Sequence, residues 1–476
     1  MIAVYVDVND DGTFTEMLSD VVRAAWRIGM VNPLDALAAV GEARITVRTL
    51  SPPPVGIRLR IIGDEIYFTG VIYQTEPQPL TGESIIIARD VLAELAQNRV
   101  RIPPQINARA DDILHQIVKQ CRLRYPALNG WMVIGYGQVG IDKLLDDTPL
   151  TTVFDVGKSV FAYVGDSWGD GISADEAAQA IAESERGRVF INRAGEMVFL
   201  NRHHTLTSTS STATFADNMA GLRFTYGADV INRVRIRLTP RSVGEPNTIL
   251  WTINNPQRIP AAGVRRVVGW YRDSSGNAIG GMDFVLPQFS ANTKRDGSGM
   301  DATAQLEVIM DAGFSAATFH IRNTGDEDVY LRSLTVRGTP LIADNPLTLE
   351  QSDPSSITFY GLHEMTLILP ALTDSDDAEQ IGRYELGRRA VPRGMIRELF
   401  LRYPDAATLS LTLFDRITVT ETKTAHTADY FICGEQHTLE QGGLRHDVRW
   451  LLEPADDDRF VVIGFSQPDG SRVLAY

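Results

Sequence analysis

Asp7, Asn9 and Asp11 alternate along "YVDVNDDGTFTEML" (residues 5–18), and Gly12 follows them. Oxygen-bearing side chains at every second position, closed by a glycine that lets the chain bend, are what a loop needs to wrap a hard cation. A structural Ca2+ held by Asp7, Asn9 and Asp11 is therefore one expectation, and no other cofactor is expected. Two features oppose it. The twelfth loop position should carry a bidentate glutamate, yet it is Leu18, with Glu16 and Asp20 two residues to either side. The entering segment "IAVYV" also reads as a strand, not a helix. In the competing reading, which these surroundings favour, the stretch is a turn between two strands whose Asn and Asp side chains bond their own backbone.

The other chemistry-bearing residues give less. "DVGKS" (155–159) ends like a phosphate loop, but Thr152 stands where its first glycine should be. "GDSWGDG" (165–171) puts Trp168 at a ligand position and reads as a surface loop. His203 and His204 are adjacent, so on a strand they would point to opposite faces and could not share a metal. His437 and His446 approach each other if "EQHTLEQGGLRHDV" forms a hairpin about Gly442-Gly443, though no third ligand accompanies them. No G-x-S-x-G, H-E-x-x-H or Cys/His constellation is present. No catalytic residue is assigned, and the chain is not expected to be an enzyme. Trp251, Trp270 and Tyr271 are the candidate glycan-binding residues, since aromatic planes suit sugar rings. Strands also place such side chains in cores, and that reading is preferred.

The elements that must position these residues are mostly strands. With 476 residues, 44% hydrophobic and 22% charged, the chain has the makings of several globular domains. Apolar runs such as "WMVIGYG" fall far short of the ~18 residues of a spanning helix, so no membrane segment is expected. The N-terminus has no secretory pattern. Cys121 and Cys433 lie far apart and outside any C-x-x-C pair. A net charge of −15 argues against a nucleic-acid grip, and the arginines are scattered among acids instead of forming a stripe.

The fold class read from these patterns is mainly β with α+β parts, in several domains: hub-like β-barrel domains, a small α/β layer and an inserted β-sandwich. Residues 1–97 read as an N-terminal β-domain with a hairpin about Gly63-Asp64 and a helix capped by Asp90. Residues 98–215 read as an α/β domain. "NARADDILHQIVKQCR" buries Ile113, Ile117 and Cys121 on one face, and "SADEAAQAIAESERG" is a second helix capped by Ser173, with Glu176 completing the box and Gly187 stopping it. A hairpin turning on Ala194-Gly195 follows. Residues 216–247 and 341–476 form a barrel-like α+β part with one helix, "DSDDAEQIGRYELGRRA". Residues 248–340, rich in short alternating strands and Gly/Asp turns, form the inserted sandwich.

The order of these pieces resembles a known family. "VDVNDDGTFTEMLSDVVRAAWRIGM" is similar to the opening of minor tail proteins of tailed bacteriophages. "RLRIIGDEIYFTGVI" and "ARDVLAELAQNRVRIPPQINARADDILHQIV" continue the likeness with a hairpin ending F-T-G, a short helix, a proline-bearing link and a second helix. "GRVFINRAGEMVFLNRHH", "DVINRVRIRLTPR" and "VYLRSLTVRGTPL" also resemble family segments. "SITFYGLHEMTLILPALTDSDDAEQIGRYELGRR" and "LFDRITVTETKTAHTADYFICGEQHTLEQGGLRHDVRWLLEP" resemble the baseplate-hub and tail-associated proteins of phage tails. The resemblance covers roughly 1–250 and 330–476 and fits the sandwich least. It implies a homotrimeric hub ring in the virion tail, assembled in the host bacterial cytoplasm. Its partners would be the tail tube, distal tail, tape-measure and tail-tip or fibre proteins, without sequence-specific nucleic-acid binding. The other expectations are a glycan-binding adhesin acting through the 248–340 sandwich and, behind it, a tail-borne cell-wall hydrolase.

Overall fold

The computed structural model describes residues 2–9, 12–123, 150–165, 171–216, 218–227 and 229–455, together with the backbone of 460–461 and 473–474. Strands predominate and helices are fewer. The mainly β, multidomain architecture expected from the sequence is present.

A 13-stranded sheet draws its strands from both ends of the chain. Along it run Gly221–Tyr226, Gly394–Arg402, Arg445–Pro454, His426–Glu440, Val21–Gly29, Glu42–Val47, Glu83–Arg89, Ile66–Gln78, Arg58–Ile62, Ala3–Asp7 and Glu16–Met17. Two further strands, Ala213–Phe215 and Arg416–Glu421, join it at His426–Glu440. The decisive pairing is antiparallel, between Val21–Gly29 and His426–Glu440, from Ala24 opposite Leu439 to Gly29 opposite Gly434. On Val21–Gly29 the residues Ala24, Trp26 and Ile28 alternate into the core, the period-two pattern of a strand with one face buried. The seam closes on two glycines. Gly29 has φ +88°, and a Cβ there would lie 2.6 Å from the Cys433 carbonyl oxygen. Only glycine meets both the left-handed backbone and that close approach.

Two helices and a hairpin form a layer beside this sheet. Ala110–Gln120 buries Ile113, Leu114, Ile117 and Val118 on one face, as its spacing predicts. Ala174–Glu185 packs against it with a face of alanines and Ile181. Ser173 is at the N-cap but makes no capping bond. The Ile172–Ser173 strand pairs with Arg99–Val100, and the Ala174 N–H goes to the Asn98 carbonyl at 2.8 Å. Local strand pairing has taken over the task of the expected capping box. The hairpin Arg188–Ile191 and Met197–Leu200 turns where expected, with Gly195 at φ +90°. The helix after Asp90 is a single turn, Leu92–Leu95.

Three strands, Leu347–Ser352, Arg233–Leu238 and Glu364–Ile368, are crossed by the helix Ser375–Arg389, whose N-cap Asp374 accepts from the Asp376 N–H. One hydrophobic core runs continuously from Val4 to Leu452 through all of these parts. A second, separate core lies in the sandwich. There the long Val329–Ala343 strand organises a six-stranded sheet, which faces a three-stranded sheet of Val264–Trp270, Ala316–Asn323 and Leu306–Ala312. Leu250, Tyr271, Phe319, Ile321, Leu331 and Val336 fill the space between.

Candidate functional site

The opening turn connects Ala3–Asp7 to Glu16–Met17, which pair antiparallel. Asp7 is fully buried, and its carboxylate takes the Arg58 guanidinium at 2.5 Å and the Gly12 N–H at 2.9 Å. The negative charge that a calcium ion would need is thus neutralised by the neighbouring strand. Asn9 is exposed in the turn, and Asp11 lies outside the described residues. No group of three or more His, Cys, Asp or Glu side chains among the described residues is placed to hold a metal.

The three aromatic candidates in the sandwich do not share a surface. Trp251 is half-buried and stacks on Phe319, with centroids 5.6 Å apart. Tyr271 is buried, 1% exposed, and its hydroxyl has no hydrogen-bond partner among the described residues. Burial pushes its phenol well above the ordinary value. Trp270 alone turns outward, 60% exposed, on the open face of the three-stranded sheet.

The "DVGKS" amides hold the protein's own carboxylate. Glu185 accepts from the Lys158 and Ser159 N–H groups at 2.8 Å each, and burial raises its carboxyl above the usual range. His203 and His204 do not lie on a strand: His203 is the N-cap of the short helix His204–Thr207, and His204 meets Asp155 at 2.9 Å.

The residues that come together most closely are at the seam. The hairpin of His426–Glu440 and Arg445–Pro454 turns through Gln441–Gly443 and brings His437 Nδ1 within 3.0 Å of His446 Nε2, as the sequence suggested. Trp26, opposite His437 in the seam register, stacks flat on that imidazole at 4.8 Å and 9°. Glu435 Oε2 is 3.5 Å from His437 Nε2. Glu435 in turn receives Arg193 Nε and Nη2, each at 2.6 Å, while Arg193 Nη1 donates to the Leu409 carbonyl. Arg193 comes from the 188–200 hairpin and also lies over Tyr67. Each of these side chains is under a tenth exposed. Burial would raise Glu435, but Arg193 outweighs it and brings the carboxyl down to about 2. Burial and then His437 push His446 down to about 4, and burial lowers His437 against the pull of Glu435.

A second set of buried ions fastens the same hairpin region to the rest. Glu385 lies between Arg186 (2.5 Å) and Arg389 (3.3 Å), and Glu453 between Arg188 (3.3 Å) and Arg388 (3.1 Å). Burial acts to raise Glu385, but Arg389, Arg186 and Arg388 hold it below its ordinary value. Sequence reading missed Arg193, Glu435 and these arginine–carboxylate sets. Only the i,i+4 spacing of Glu385 and Arg389 was there to find. Chemically, these sites join segments through charge-assisted hydrogen bonds.

No family model matches the chain, and no curated protein matches it in sequence. Solved structures do. The 43 kDa tail protein of prophage MuSo2 from Shewanella oneidensis matches with a TM-score of 0.50 at 10% identity, over 96% of this chain and 99% of that one. The tail protein from Neisseria meningitidis MC58 matches with a TM-score of 0.51 at 10% identity, over 96% and 98%. The resemblance read from the sequence therefore holds at the level of the fold: from end to end, this chain is built like these two tail proteins.

Proposed function

We propose that the chain is a structural component of a bacteriophage or phage-derived tail tip. In this reading it forms a homotrimeric hub ring in the virion tail that closes the tail tube and organises the tail-tip proteins. It acts by assembly and by opening on host contact for DNA passage, without catalytic turnover. The observation that carries the proposal is the end-to-end likeness to two tail proteins, one of them from a prophage, each covered almost completely. Buried arginine–carboxylate contacts that lock distant segments together suit a part that bears load. The charge also suits a conduit: three copies would carry 3 × −15 = −45, and carboxylates lining a lumen would repel passing DNA. Its partners would be the tube, distal tail, tape-measure and fibre proteins. Gold-labelled antibody against the chain should mark the distal end of tail particles. Label along the tube, on the head, or absent from particles would overturn the proposal.

A second reading, glycan binding by the sandwich, is favoured by the outward Trp270, whose face is free to stack on a sugar ring. A glycan array with the full chain and with Trp270→Ala tests it. Binding that survives the substitution would remove Trp270 from the account.

A further inference from the structure

Only one arrangement of protons satisfies both contacts of His437. If His446 donates its Nε2–H to His437 Nδ1, then His437 keeps its Nε2–H directed at Glu435. The opposite arrangement would set a bare Nε2 lone pair against a carboxylate. The pair is therefore a directed chain, from His446 through His437 to Glu435, which also accepts from Arg193. The next proton must add to the far nitrogen of His446, and nothing among the described residues of the core is ready to balance it. Glu435 is already neutralised by Arg193 through two 2.6 Å bonds. Trp26 and Tyr67 cover the imidazoles. Asp447, the nearest other acid acting on His446, is held by Arg445 at 2.6 Å. Beyond these, Asp415 acts on Arg193, and Asp64 and Glu65 act on Tyr67.

We propose that this imidazole pair makes the seam an acid-opened joint, in which proton uptake parts the Val21–Gly29 strand from the His426–Glu440 strand while the sandwich stays folded. The pair is placed for it. It sits inside the register that joins Val21–Gly29 to His426–Glu440, and Trp26 bridges the two sides of that register. Opening hydrates the imidazoles and lets them bind a proton that the closed core refuses. The opening constant then rises about tenfold per imidazole for each pH unit below the ordinary imidazole value, until the closed form itself titrates. The inference concerns the chain alone and stands whether or not it belongs to a tail.

The test is native-state hydrogen exchange on the full chain between pH 7 and 4.5, corrected for intrinsic exchange. Amides of Trp26, Ile28 and His437 report the seam, and those of Phe319, Ile321 and Leu331 report the sandwich. The expected result is seam opening that rises well over tenfold, towards ~100-fold, per pH unit between 6 and 5, with no such rise in the sandwich. In His446→Gln, whose amide still donates to His437, the seam slope should fall to that of one imidazole, about tenfold per pH unit. A wild-type seam slope equal to the sandwich slope, or a His446→Gln slope equal to wild type, would overturn the proposal. Nitrogen NMR of the wild-type imidazoles keeps the test independent of that variant's folding. It should find both rings with the proton on Nε2 at pH 7, and a His437 ring protonated on Nδ1 would contradict the directed chain.

Discussion

Replacing Arg193 by methionine isolates the strongest claim about the seam. The substitution roughly conserves length and apolar stem but leaves the Glu435 carboxylate, 3% exposed, without its counter-ion. Two routes give the cost. Glu435 is drawn from its ordinary 4.5 to about 2, which corresponds to about 3 kcal/mol at neutral pH. Coulomb attraction between charges about 4 Å apart gives ~4 kcal/mol at an effective dielectric constant of about 20. Loss of the bond to the Leu409 carbonyl adds about 1 kcal/mol. The expected destabilisation is thus ~3–5 kcal/mol, the range found when one partner of a buried pair is removed. Arg193→Met with Glu435→Leu should recover most of it, because then no charge remains buried. The assay is a urea titration followed by hydrogen exchange at the Val21–Gly29 amides, which keeps unfolding of the sandwich out of the measurement. A cost below ~1 kcal/mol for the single substitution, or a double variant no better than the single, would refute the reasoning.

Four other outcomes are expected. For pH, a His446 whose folded value is lowered to about 4 binds its proton more readily when unfolded. Its contribution is therefore lost as pH falls from 6.5 towards 4, by about 3 kcal/mol. Asp90, pushed up to about 7 by burial, works in the opposite sense and gains stability as pH falls below 7. The wild-type stability profile should accordingly be shallow in this window, and the difference between wild type and His446→Gln should expose the histidine's contribution. In the sandwich, Gly269→Ala would drive a methyl group into the Trp251 ring and should cost ~1–3 kcal/mol. Tyr271→Phe removes a buried hydroxyl without a partner and should be neutral or stabilising by about 1 kcal/mol, both read as shifts of the sandwich melting transition. Chelator should leave the melting temperature unchanged, since Arg58 already balances Asp7. A clear drop would restore the calcium reading.

Local pattern carried the elements well. The Gly63-Asp64 and Ala194-Gly195 hairpins, the Ile113/Ile117 helix face and the meeting of His437 with His446 are all short-range consequences of period and turn chemistry. What could not be read was register between distant segments. Nothing in "VVRAAWRIG" specifies that it pairs with a strand some 400 residues later, because a period of two says which face is buried but not against what. Arg193 and Glu435 share that difficulty: each is one of many scattered charges until the fold places them 2.6 Å apart. Asp7 shows a different limit. Alternating Asp and Asn spell a cation loop and a hairpin turn equally well, and the buried arginine that decides between them lies on another strand.

The measurement that bears most directly on the central claim is the symmetry of the assembled protein, from sedimentation mass and electron microscopy of the purified chain and of tail particles. The account predicts a threefold ring at the distal end of the tube. A chain that stays monomeric at high concentration, and that is missing from that position in particles, would contradict it.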